Sequence, residues 1–366
     1  MKGRVIVLQH RPAHAALVVD GRVEDLLLDV DNPTRPPQPG EIWTAQVIRS
    51  TQGAVFVDLG NGHTGFLRDT RGIKGSKLFL VQISSIPEPG KAIPVDRRLL
   101  VKGRTLILTP NAAGINVSRQ IKDPDERERL TTAIKDLPQD AGVIIRSAAR
   151  DMPSDVLQAE LSAIIDAQIH LTNPKLGVGP MGQATSPRIM ALREWSMPLP
   201  DLIAATTDLA AELRLPQDVF HDPDLADCLE PGDGDPFDHF GVWDEIERLK
   251  SPRADLPSGG WMAIETTRAM VTVDINTGDG FGGGDAMTTN IEAARELPRQ
   301  LRLRGLGGQV IIDFAPLKKQ HRKKIEETLK SAFRRDPIDT SLAGWTPLGN
   351  FELQRKRERT PLTELL

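Results

Sequence analysis

The sequence predicts a mixed α/β protein with more than one domain. Its 366 residues exceed what a single hydrophobic core usually organises. Residues 270–314 read as a strand, a loop, a helix and a second strand, which is the pattern of a crossover unit in a sheet. Residues 37–110 show short alternating strands separated by Gly and Asn turns, which is typical of a small barrel. Because the two patterns occupy different parts of the chain, they predict separate subdomains.

The crossover unit at residues 270–314 begins and ends with an apolar, β-branched strand. We predict these strands at Met270–Ile275 and Gln309–Phe314, and each has an aspartate near its far end, Asp274 or Asp313. Strands joined by a helical crossover run parallel, and the connection is almost always right-handed. Both aspartates should therefore emerge at the same edge of the sheet, where open α/β sheets usually bind ligands.

The segment between those strands combines a glycine-rich loop with an amphipathic helix. The loop, Gly278 to Gly284, lacks the spacing of a phosphate-binding fingerprint. Thr289 is followed three residues later by Glu292, which has the form of a capping box and predicts that the helix opens there. Gly305 predicts its end, because glycine readily adopts the left-handed conformation that closes a helix.

Asp274, Asp313 and the amide of Asn276 would form an all-oxygen site at the predicted sheet edge. Such ligands suit Mg²⁺, and Mn²⁺ also fits, because both are hard cations that keep several waters. An ion held there could activate water and neutralise charge on a phosphodiester. The pattern alone leaves an alternative open, since an aspartate that closes a strand often caps a turn or forms half of an ion pair.

The composition excludes several classes of protein. No apolar run approaches the length of a bilayer span, and the first residues lack the hydrophobic core and cleavage site of a signal peptide. The single cysteine, Cys228, excludes intramolecular disulfides and cysteine-rich zinc sites. We therefore expect a cytoplasmic protein that binds no zinc.

The net charge of −4 does not by itself favour nucleic-acid binding, so a protein of this composition that binds RNA must concentrate its positive charge locally. Basic residues do concentrate after Asp313, at Lys318, Lys319, His321, Arg322, Lys323, Lys324, Arg334, Arg335, Arg355, Lys356 and Arg357. A solvated helix face is the alternative explanation of such a run.

The predicted barrel carries two aromatic residues on its outer surface. Alternation in the segment GAVFVDL places Val55, Val57 and Leu59 on one face and Phe56 on the other, with Phe66 after a tight turn. Exposed aromatic rings on an oligonucleotide-binding barrel are stacking platforms for single-stranded bases. In the alternative, one ring plugs the end of the barrel.

Several other segments have simple patterns. Residues 141–171 predict a buried strand, an Arg-Ser pair and a long helix. Residues 198–216 predict a helix that ends at a proline, and residues 242–250 predict a short amphipathic helix. The acidic, glycine-punctuated residues 227–241 predict a loop.

The segments SGGWMAIETT, VDINTG, TNIEAAREL, RQLRLRGLGG and IIDF, between residues 258 and 314, resemble the catalytic core of the ribonuclease E/G family. The resemblance implies an endoribonuclease in which Asp274 and Asp313 hold Mg²⁺ and Asn276 orients the first carboxylate or the attacking water. One departure is Pro298, since proline inside a helix removes a hydrogen bond and tends to kink it. Larger family members also carry a Cys-x-x-Cys zinc link between subunits, so no zinc-linked tetramer is expected here.

The resemblance also implies an arrangement of subdomains. An OB-fold RNA-binding barrel at residues 37–110 would be inserted in an RNase H-like subdomain formed by residues 1–36 and 181–254. A subdomain similar to the family's 5′-phosphate sensor would span residues 111–180. Residues 255–366 would form a DNase I-like catalytic subdomain, and in the family such subdomains pair as homodimers.

RNA contacts follow from the same resemblance. Single-stranded RNA would be bound by Phe56, Phe66, Lys102, Arg355, Lys356 and Arg357. A 5′-monophosphate would meet Gly114, Arg146 and Ser147, although Arg146 after a buried strand also fits an ordinary ion pair. Family members complete that pocket with a second arginine, whose place here falls on Thr340, and this departure argues against phosphate sensing.

Two other functions compete with the endoribonuclease. A non-catalytic RNA-binding or regulatory protein could retain the fold and lose the reaction, but loss of function would be expected to erode Asp274, Asn276 and Asp313 first, and all three are present. A DNA nuclease could use the same ion, but the predicted barrel favours flexible single strands.

Overall fold

The computed structural model of the chain describes residues 2–29, 35–71, 73, 77–110, 112–134, 137, 140–172, 177–182, 185–213, 223–278 and 285–365. The chain divides into two compact units. The first comprises Met1–Val23, Leu27–Ser84 and Ala92–Phe240, and the second comprises Glu24–Leu26, Ser85–Lys91 and Gly241–Leu366. None of the helices in these described ranges is both long enough and apolar enough to cross a membrane.

Strands and helices alternate along the first part of the chain. The strands are β1 (Arg4–Leu8), β2 (Ala15–Val19), β3 (Arg22–Leu27), β4 (Ile42–Thr51), β5 (Ala54–Gly60), β6 (His63–Leu67), β7 (Phe79–Ile83), β8 (Ile93–Asp96), β9 (Val101–Lys102), β10 (Leu106–Pro110), β11 (Gly114–Val117), β12 (Ala141–Ile145), β13 (Gly179–Pro180), β14 (Leu202–Thr206) and β15 (Leu229–Gly232). The helices are α1 (Pro124–Ala133), α2 (Ser154–Thr172), α3 (Pro187–Trp195), α4 (Thr207–Leu213), α5 (Pro223–Asp227) and α6 (Pro236–His239).

The first sheet joins the start of the chain to residues more than 190 positions later, with strand order β15-β14-β1-β2-β3. β1 runs parallel to β14, with Val5 opposite Leu202, and antiparallel to β2. β14 is part of the segment 198–216, for which we predicted a single helix, so that prediction is wrong in its first half. The run Leu202–Thr206 is too short and too uniformly apolar for periodicity to distinguish a strand from a helix. Its neighbours in the sheet decide the matter, and a helix begins only at Thr207.

The predicted loop at residues 227–241 also contains regular structure. β15 pairs in parallel with β14, and α6 follows it. The Asp235 side chain accepts the backbone N–H groups of Phe237 and Asp238, and this caps the short helix. The acidic and glycine residues that suggested a loop therefore include a helix cap.

A closed five-stranded barrel follows the first sheet, in the order β4-β5-β6-β8-β7, and pairing between β4 and β7 completes the closure. β6 and β8 are parallel, and the other pairs of neighbours are antiparallel. Val55, Val57 and Leu59 face its interior, as alternation predicted. The prediction of a small barrel is confirmed, and the closed barrel is consistent with an OB-like fold. Its predicted end at residue 110 is wrong, because β9 and β10 pair in another sheet, with β12 and β11.

A third sheet, of order β11-β12-β10-β9, completes the first unit. The predicted buried strand within residues 141–171 is β12, and the predicted long helix is α2. Leu157, Leu161 and Ile164 of α2 belong to the same core as Leu106 and Val143 of the sheet.

The second unit is built on one six-stranded sheet. Its strands are β16 (Arg253–Asp255), β17 (Trp261–Thr266), β18 (Met270–Asn276), β19 (Gly308–Asp313), β20 (Thr340–Trp345) and β21 (Phe351–Arg355). Its helices are α7 (Val242–Lys250), which agrees with the predicted helix at 242–250, α8 (Ala286–Leu303) and α9 (Arg322–Arg335). The sheet order is β16-β17-β18-β19-β21-β20, and β18 and β19 are parallel, as the crossover pattern predicted.

The crossover helix α8 begins earlier than its predicted capping box. Asp285 is the N-cap, and its carboxylate accepts the N–H of Met287. Thr289 is buried inside the helix, and Glu292 accepts the backbone N–H of Ser258. The helix continues through Pro298 to Leu303, and Gly305 follows it at φ +66°, as predicted. Residues 279–284 of the predicted glycine-rich loop lie outside the described residues.

Candidate active site

Asp274 and Asp313 are direct cross-strand partners in the parallel pair β18–β19. On both strands the alternate residues, such as Val273 and Ile312, are buried against the helices, so the two aspartates share the opposite face. Both are exposed. The prediction that these two carboxylates meet at one sheet edge is confirmed.

Asn276 lies two residues beyond Asp274 on the same face of β18. Its side-chain amide donates a hydrogen bond to Asp274 Oδ2 at 2.9 Å, which holds that carboxylate in one orientation. Among the described residues, no group of three or more His, Cys, Asp or Glu side chains could hold a metal. A cation here would have two carboxylates as its protein ligands and water for the rest, and this open, all-oxygen set fits Mg²⁺.

The neighbouring antiparallel strands extend the face on which the aspartates lie. One row of partners runs Arg253–Ala263–Asp274, and the next runs Asp255–Trp261–Asn276. The Arg253 guanidinium lies over the Trp261 ring, with 4.9 Å between its carbon and the ring centroid. None of these residues of β16 and β17 was predicted as a site residue, although the alternation in WMAIET places Trp261 and Ala263 on one face.

A tight turn between β16 and β17 supports this row. The Leu256 N–H donates to the Gly260 carbonyl at 2.8 Å, and Ser258 N–H donates to Glu292 of α8 at 3.0 Å. A Cβ on Gly260 would lie 2.7 Å from the Asn276 carbonyl oxygen, so only glycine allows this approach. The turn thereby holds the start of β17 against β18 and α8.

The barrel carries a second candidate surface. Phe56 and Phe66 are cross-strand partners on β5 and β6, and their ring centroids lie 5.4 Å apart. Both are half-buried on the outer face. Arg49 of β4 is the cross-strand partner of Phe56, and its guanidinium lies 4.4 Å from the centre of that ring. The aromatic pair matches the prediction in position, whereas Arg49 was missed because a bulge between Val47 and Arg49 shifts the alternation.

Comparison with known proteins decides the family. The model of the Ribonuclease E/G family matches residues 101–358. This chain belongs to the ribonuclease E/G family. Ribonuclease G of Salmonella typhimurium (strain SL1344) is 30% identical over 363 residues, which cover 89% of this chain and 74% of that protein. Ribonuclease G of Escherichia coli (strain K12) has the same identity and coverage. Ribonuclease E of Synechocystis is 28% identical over 399 residues, 98% of this chain and 58% of that protein.

The position of Arg355 contradicts its predicted role in RNA binding by this member of the ribonuclease E/G family. Its side chain is 0% exposed, lies 2.8 Å from Asp336 and donates to Thr340 Oγ1 at 3.1 Å. Burial lowers the pKa of Arg355, and the Asp336 carboxylate opposes that shift. A side chain enclosed in this way offers no surface to RNA, so the expectation that Arg355 binds RNA is wrong. A basic run in a terminal strand cannot reveal which of its members faces inward, since alternate residues of a strand point to opposite faces.

The other residues of that basic run lie closer to solvent. Lys356 is 42% exposed and pairs with Glu358 at 2.6 Å. Arg357 lies 3.5 Å from Glu88. Lys102, on β9 of the other unit, is also exposed. RNA binding by these three residues remains a prediction.

Arg146, predicted as a phosphate sensor, is engaged by its own unit. Its guanidinium donates to the carbonyls of Gly103 at 3.0 Å and Arg104 at 3.1 Å, and it forms an ion pair with Glu194. Ser147 opens a single 3₁₀ turn, Ser147–Ala149. These contacts agree with the ion-pair alternative. Gly114 is in the left-handed region at φ +117°, where a Cβ would meet nothing within 4 Å. Binding of a 5′-phosphate by these residues stays a prediction.

The basic residues that follow Asp313 surround the start of α9. Lys318, Lys319, Lys323 and Lys324 are exposed. Arg322 is half-buried and stacks on Trp345, with 4.7 Å from its guanidinium carbon to the ring centroid. Trp345 in turn contacts Phe314, the residue after Asp313, at a centroid distance of 5.5 Å. The run therefore contains an inward, packed arginine as well as the solvated face that was the alternative reading.

Proposed function

We propose that this protein is a Mg²⁺-dependent endoribonuclease that cleaves single-stranded RNA and leaves 5′-phosphate and 3′-hydroxyl ends, in RNA processing or decay. The observation that carries the proposal is the pairing of Asp274 with Asp313 at the end of adjacent parallel strands, with Asn276 bonded to the first carboxylate. Membership of the ribonuclease E/G family and the names of its relatives support the same reaction class.

The residues of this site would divide the work between them. Asp274 and Asp313 would hold Mg²⁺, or Mn²⁺, through their carboxylates, and Asn276 would keep Asp274 oriented for that role. When bound, such an ion activates water at neutral pH and neutralises charge on the phosphodiester. Zinc is not proposed, because carboxylates alone are a poor set for it and Cys228 is the single cysteine.

A single strand rather than a duplex is proposed as the substrate because of the barrel, and membership of the ribonuclease E/G family favours RNA. Phe56 and Phe66 form a continuous aromatic surface on its outer face, and Arg49 adds a positive charge beside it. Aromatic platforms of this kind stack on unpaired bases and tolerate many sequences. Exposed lysines at the start of α9 would attract the phosphates.

The subdomain assignments of the family are proposed here as well. The closed barrel would be the OB-fold RNA-binding subdomain, and the sheet that joins β1 to β14 would be RNase H-like. The sheet β11-β12-β10-β9 would correspond to the 5′-sensor, and the second unit to the DNase I-like catalytic subdomain. A cytoplasmic location and a homodimer formed through the catalytic subdomain complete the proposal, and a mass measurement in solution tests the dimer.

The test of the enzyme is cleavage of a short, AU-rich single-stranded RNA with and without Mg²⁺. Wild type, Asp274→Asn and Asp313→Asn would be compared, with Gln309→Ala as a matched control. Gln309 is exposed on β19, at the opposite end of the strand from Asp313. The proposal expects Mg²⁺-dependent cleavage by wild type and by the control, and loss of cleavage in both aspartate variants.

The second candidate function is a non-catalytic RNA-binding protein with the same fold. The aromatic surface on the barrel favours it, since that surface would bind RNA whether or not the carboxylates act. RNA binding by wild type without any cleavage, over a range of Mg²⁺ and Mn²⁺ concentrations, would establish this function and exclude the enzyme.

A further inference from the structure

The face of the six-stranded sheet that carries Asp274 and Asp313 also carries an arginine–tryptophan pair, in which Arg253 lies over Trp261. Trp261 is the cross-strand partner of Asn276, and Ala263 is the partner of Asp274. Met262 and Ile264, between them on β17, are buried in the core, so Trp261 and Ala263 point to the face of Asp274. The pair therefore belongs to the same surface as the proposed metal site.

The spacing of the sheet places this pair close to the proposed site. Diagonal neighbours on antiparallel strands lie roughly 7–8 Å apart, and Trp261 and Asp274 are such neighbours. A single nucleotide is long enough to place its base at Trp261 when its phosphate lies at the ion that Asp274 would bind. In the row of cross-strand partners Arg253–Ala263–Asp274, the middle residue is an alanine. Its small methyl group leaves room for a ligand above the sheet between the two charged side chains.

The Trp261–Arg253 pair has the composition of a nucleotide-binding surface. The Arg253 guanidinium carbon lies 4.9 Å from the ring centroid, and Arg253 Nε–H donates to Asp255 Oδ1 at 2.7 Å, which holds the guanidinium in that position. Within the part of the chain that the structure describes, Asp255 is the only hydrogen-bond partner of this guanidinium. The Arg253 side chain is 54% exposed, so its other N–H groups can reach a phosphate.

The backbone next to Trp261 is fixed by contacts within the protein itself. The preceding turn is bonded to α8 through Ser258 and Glu292, and Gly260 packs directly on the Asn276 carbonyl. A rigid aromatic group loses little conformational entropy when a base stacks on it.

We infer that Trp261 and Arg253 form a stacking site for one base of single-stranded RNA, next to the phosphodiester that is cleaved. Bases of unpaired RNA stack on aromatic rings and on guanidinium planes, and this pair presents both. The inference rests on the proposed function and adds to it the residues that position the nucleotide flanking the cut. It concerns binding and orientation of the substrate, while the carboxylates remain the proposed ligands of the ion.

The experiment combines variants of the protein with RNAs that lack a single base. The cleaved bond is mapped on an intact RNA, and a set of RNAs is then made with one abasic ribose at each position flanking that bond. Wild type, Trp261→Ala, Trp261→Phe and Arg253→Ala are measured, with Gln309→Ala as the control on the same sheet face. Thermal unfolding of each variant checks that it is folded. If Trp261→Ala disturbs the fold, Trp261→Phe still tests the inference, because phenylalanine keeps an aromatic ring at this position.

If the inference is right, removing the Trp261 ring and removing the base that stacks on it should lower cleavage to a similar extent. Trp261→Ala should lower kcat/KM on intact RNA by about 10-fold to 100-fold, the usual cost of losing one stacked base, and Trp261→Phe should lower it far less. One abasic position should cost wild type a similar factor and cost Trp261→Ala nothing further. Arg253→Ala should act in the same direction at that position, and Gln309→Ala should behave as wild type on every RNA.

Binding by the Asp313→Asn protein provides a second readout that does not depend on cleavage. The same dependence on Trp261 and on one base should appear in the Kd of that background. Equal factors for Trp261→Ala on intact and on every abasic RNA would show a structural role and overturn the inference. Wild type without cleavage would overturn the proposed function instead, and the Kd measurements would still decide the stacking site.

Discussion

The guanidinium of Arg355 lies 2.8 Å from a carboxylate oxygen of Asp336, and both side chains are 0% exposed. Asp336 also pairs with Arg302, which lies 3.4 Å from Asp25. The sequence predicted that Arg355 contacts RNA. In the structure its ion pair with Asp336 instead links β21 to the turn after α9. Buried pairs of this kind are sensitive to the loss of one partner, because the other charge is left uncompensated.

Replacing Asp336 by asparagine should therefore destabilise the protein strongly. We expect a loss of about 3–5 kcal/mol in the free energy of unfolding, the usual consequence of breaking one side of a buried pair. Urea unfolding measures it, with Glu358→Gln as control, because the exposed Lys356–Glu358 pair should contribute no more than about 1 kcal/mol. Equal stability of the two variants would show that the buried pair contributes nothing.

Asn276→Ala should weaken the reaction without abolishing it. The variant removes the hydrogen bond to Asp274 but leaves both carboxylates in place. Losing a group that orients a metal ligand typically costs about 10-fold to 100-fold in metal affinity or activity. Cleavage rates over a Mg²⁺ titration measure this cost, and excess Mg²⁺ should restore part of the rate. Wild-type rates at limiting Mg²⁺ would rule out the orienting role.

Phe56→Ala and Phe66→Ala should each weaken binding of single-stranded RNA. Loss of one stacked base costs about 1–3 kcal/mol, and the double variant should lose less than the sum because the rings touch. Fluorescence anisotropy with labelled RNA, in the Asp313→Asn background, gives the Kd values. Gln52→Ala, in the exposed turn before β5, is the control. Unchanged affinity in the double variant would mean that the rings only close the barrel surface.

RNAs with a 5′-monophosphate and with a 5′-hydroxyl should be cleaved at equal rates. Arg146 is already paired with Glu194 and with two carbonyls, and Thr340 stands where the second arginine was expected. Matched RNAs that differ only at the 5′ end test this with wild type and Arg146→Ala. A clear preference for the monophosphate, lost in Arg146→Ala, would instead establish Arg146 as the sensor.

The stability of the protein should fall between about pH 4.5 and pH 2 partly because of Glu126. Hydrogen bonds from Arg129 lower the pKa of Glu126 to about 2, with help from the Asp151 N–H, while burial opposes them. A carboxylate with a depressed pKa stabilises the fold above its unfolded value, and that stabilisation is lost as pH falls through the folded value.

Glu126→Gln tests this assignment through the melting temperature measured across that pH range. The variant should be less stable than wild type at pH 5 and should lose less stability on acidification. Glu128→Gln, at an exposed position of the same helix, should follow the wild-type curve. Parallel curves for wild type and Glu126→Gln would exclude the contribution.

Local pattern was sufficient to find the centre of the candidate site. The β-branched runs around Asp274 and Asp313, separated by one helix, leave little choice of topology, because a crossover between neighbouring strands is parallel. The structure agrees to the residue, with Asp274 opposite Asp313. The faces of β5 were equally accessible to pattern, since Val55, Val57 and Leu59 alternate with Phe56.

Pattern failed where distant residues settle a local choice. Leu202–Thr206 has no periodicity of its own, and it is a strand because β1, almost two hundred residues earlier, pairs with it. Asp285 caps α8 although Thr289 and Glu292 have the better signature, because Glu292 accepts the Ser258 N–H and Thr289 is buried.

The chain's own order of residues was enough to predict a mixed α/β protein with a barrel, and a pair of aspartates at one sheet edge, since these depend on short-range periodicity and on the chirality of crossovers. It did not reveal that Arg355 is buried against Asp336, or that Arg253 lies over Trp261 beside Asp274. Those relationships depend on strand register and on which face each strand turns to the core, and both are settled by packing between segments far apart in the chain.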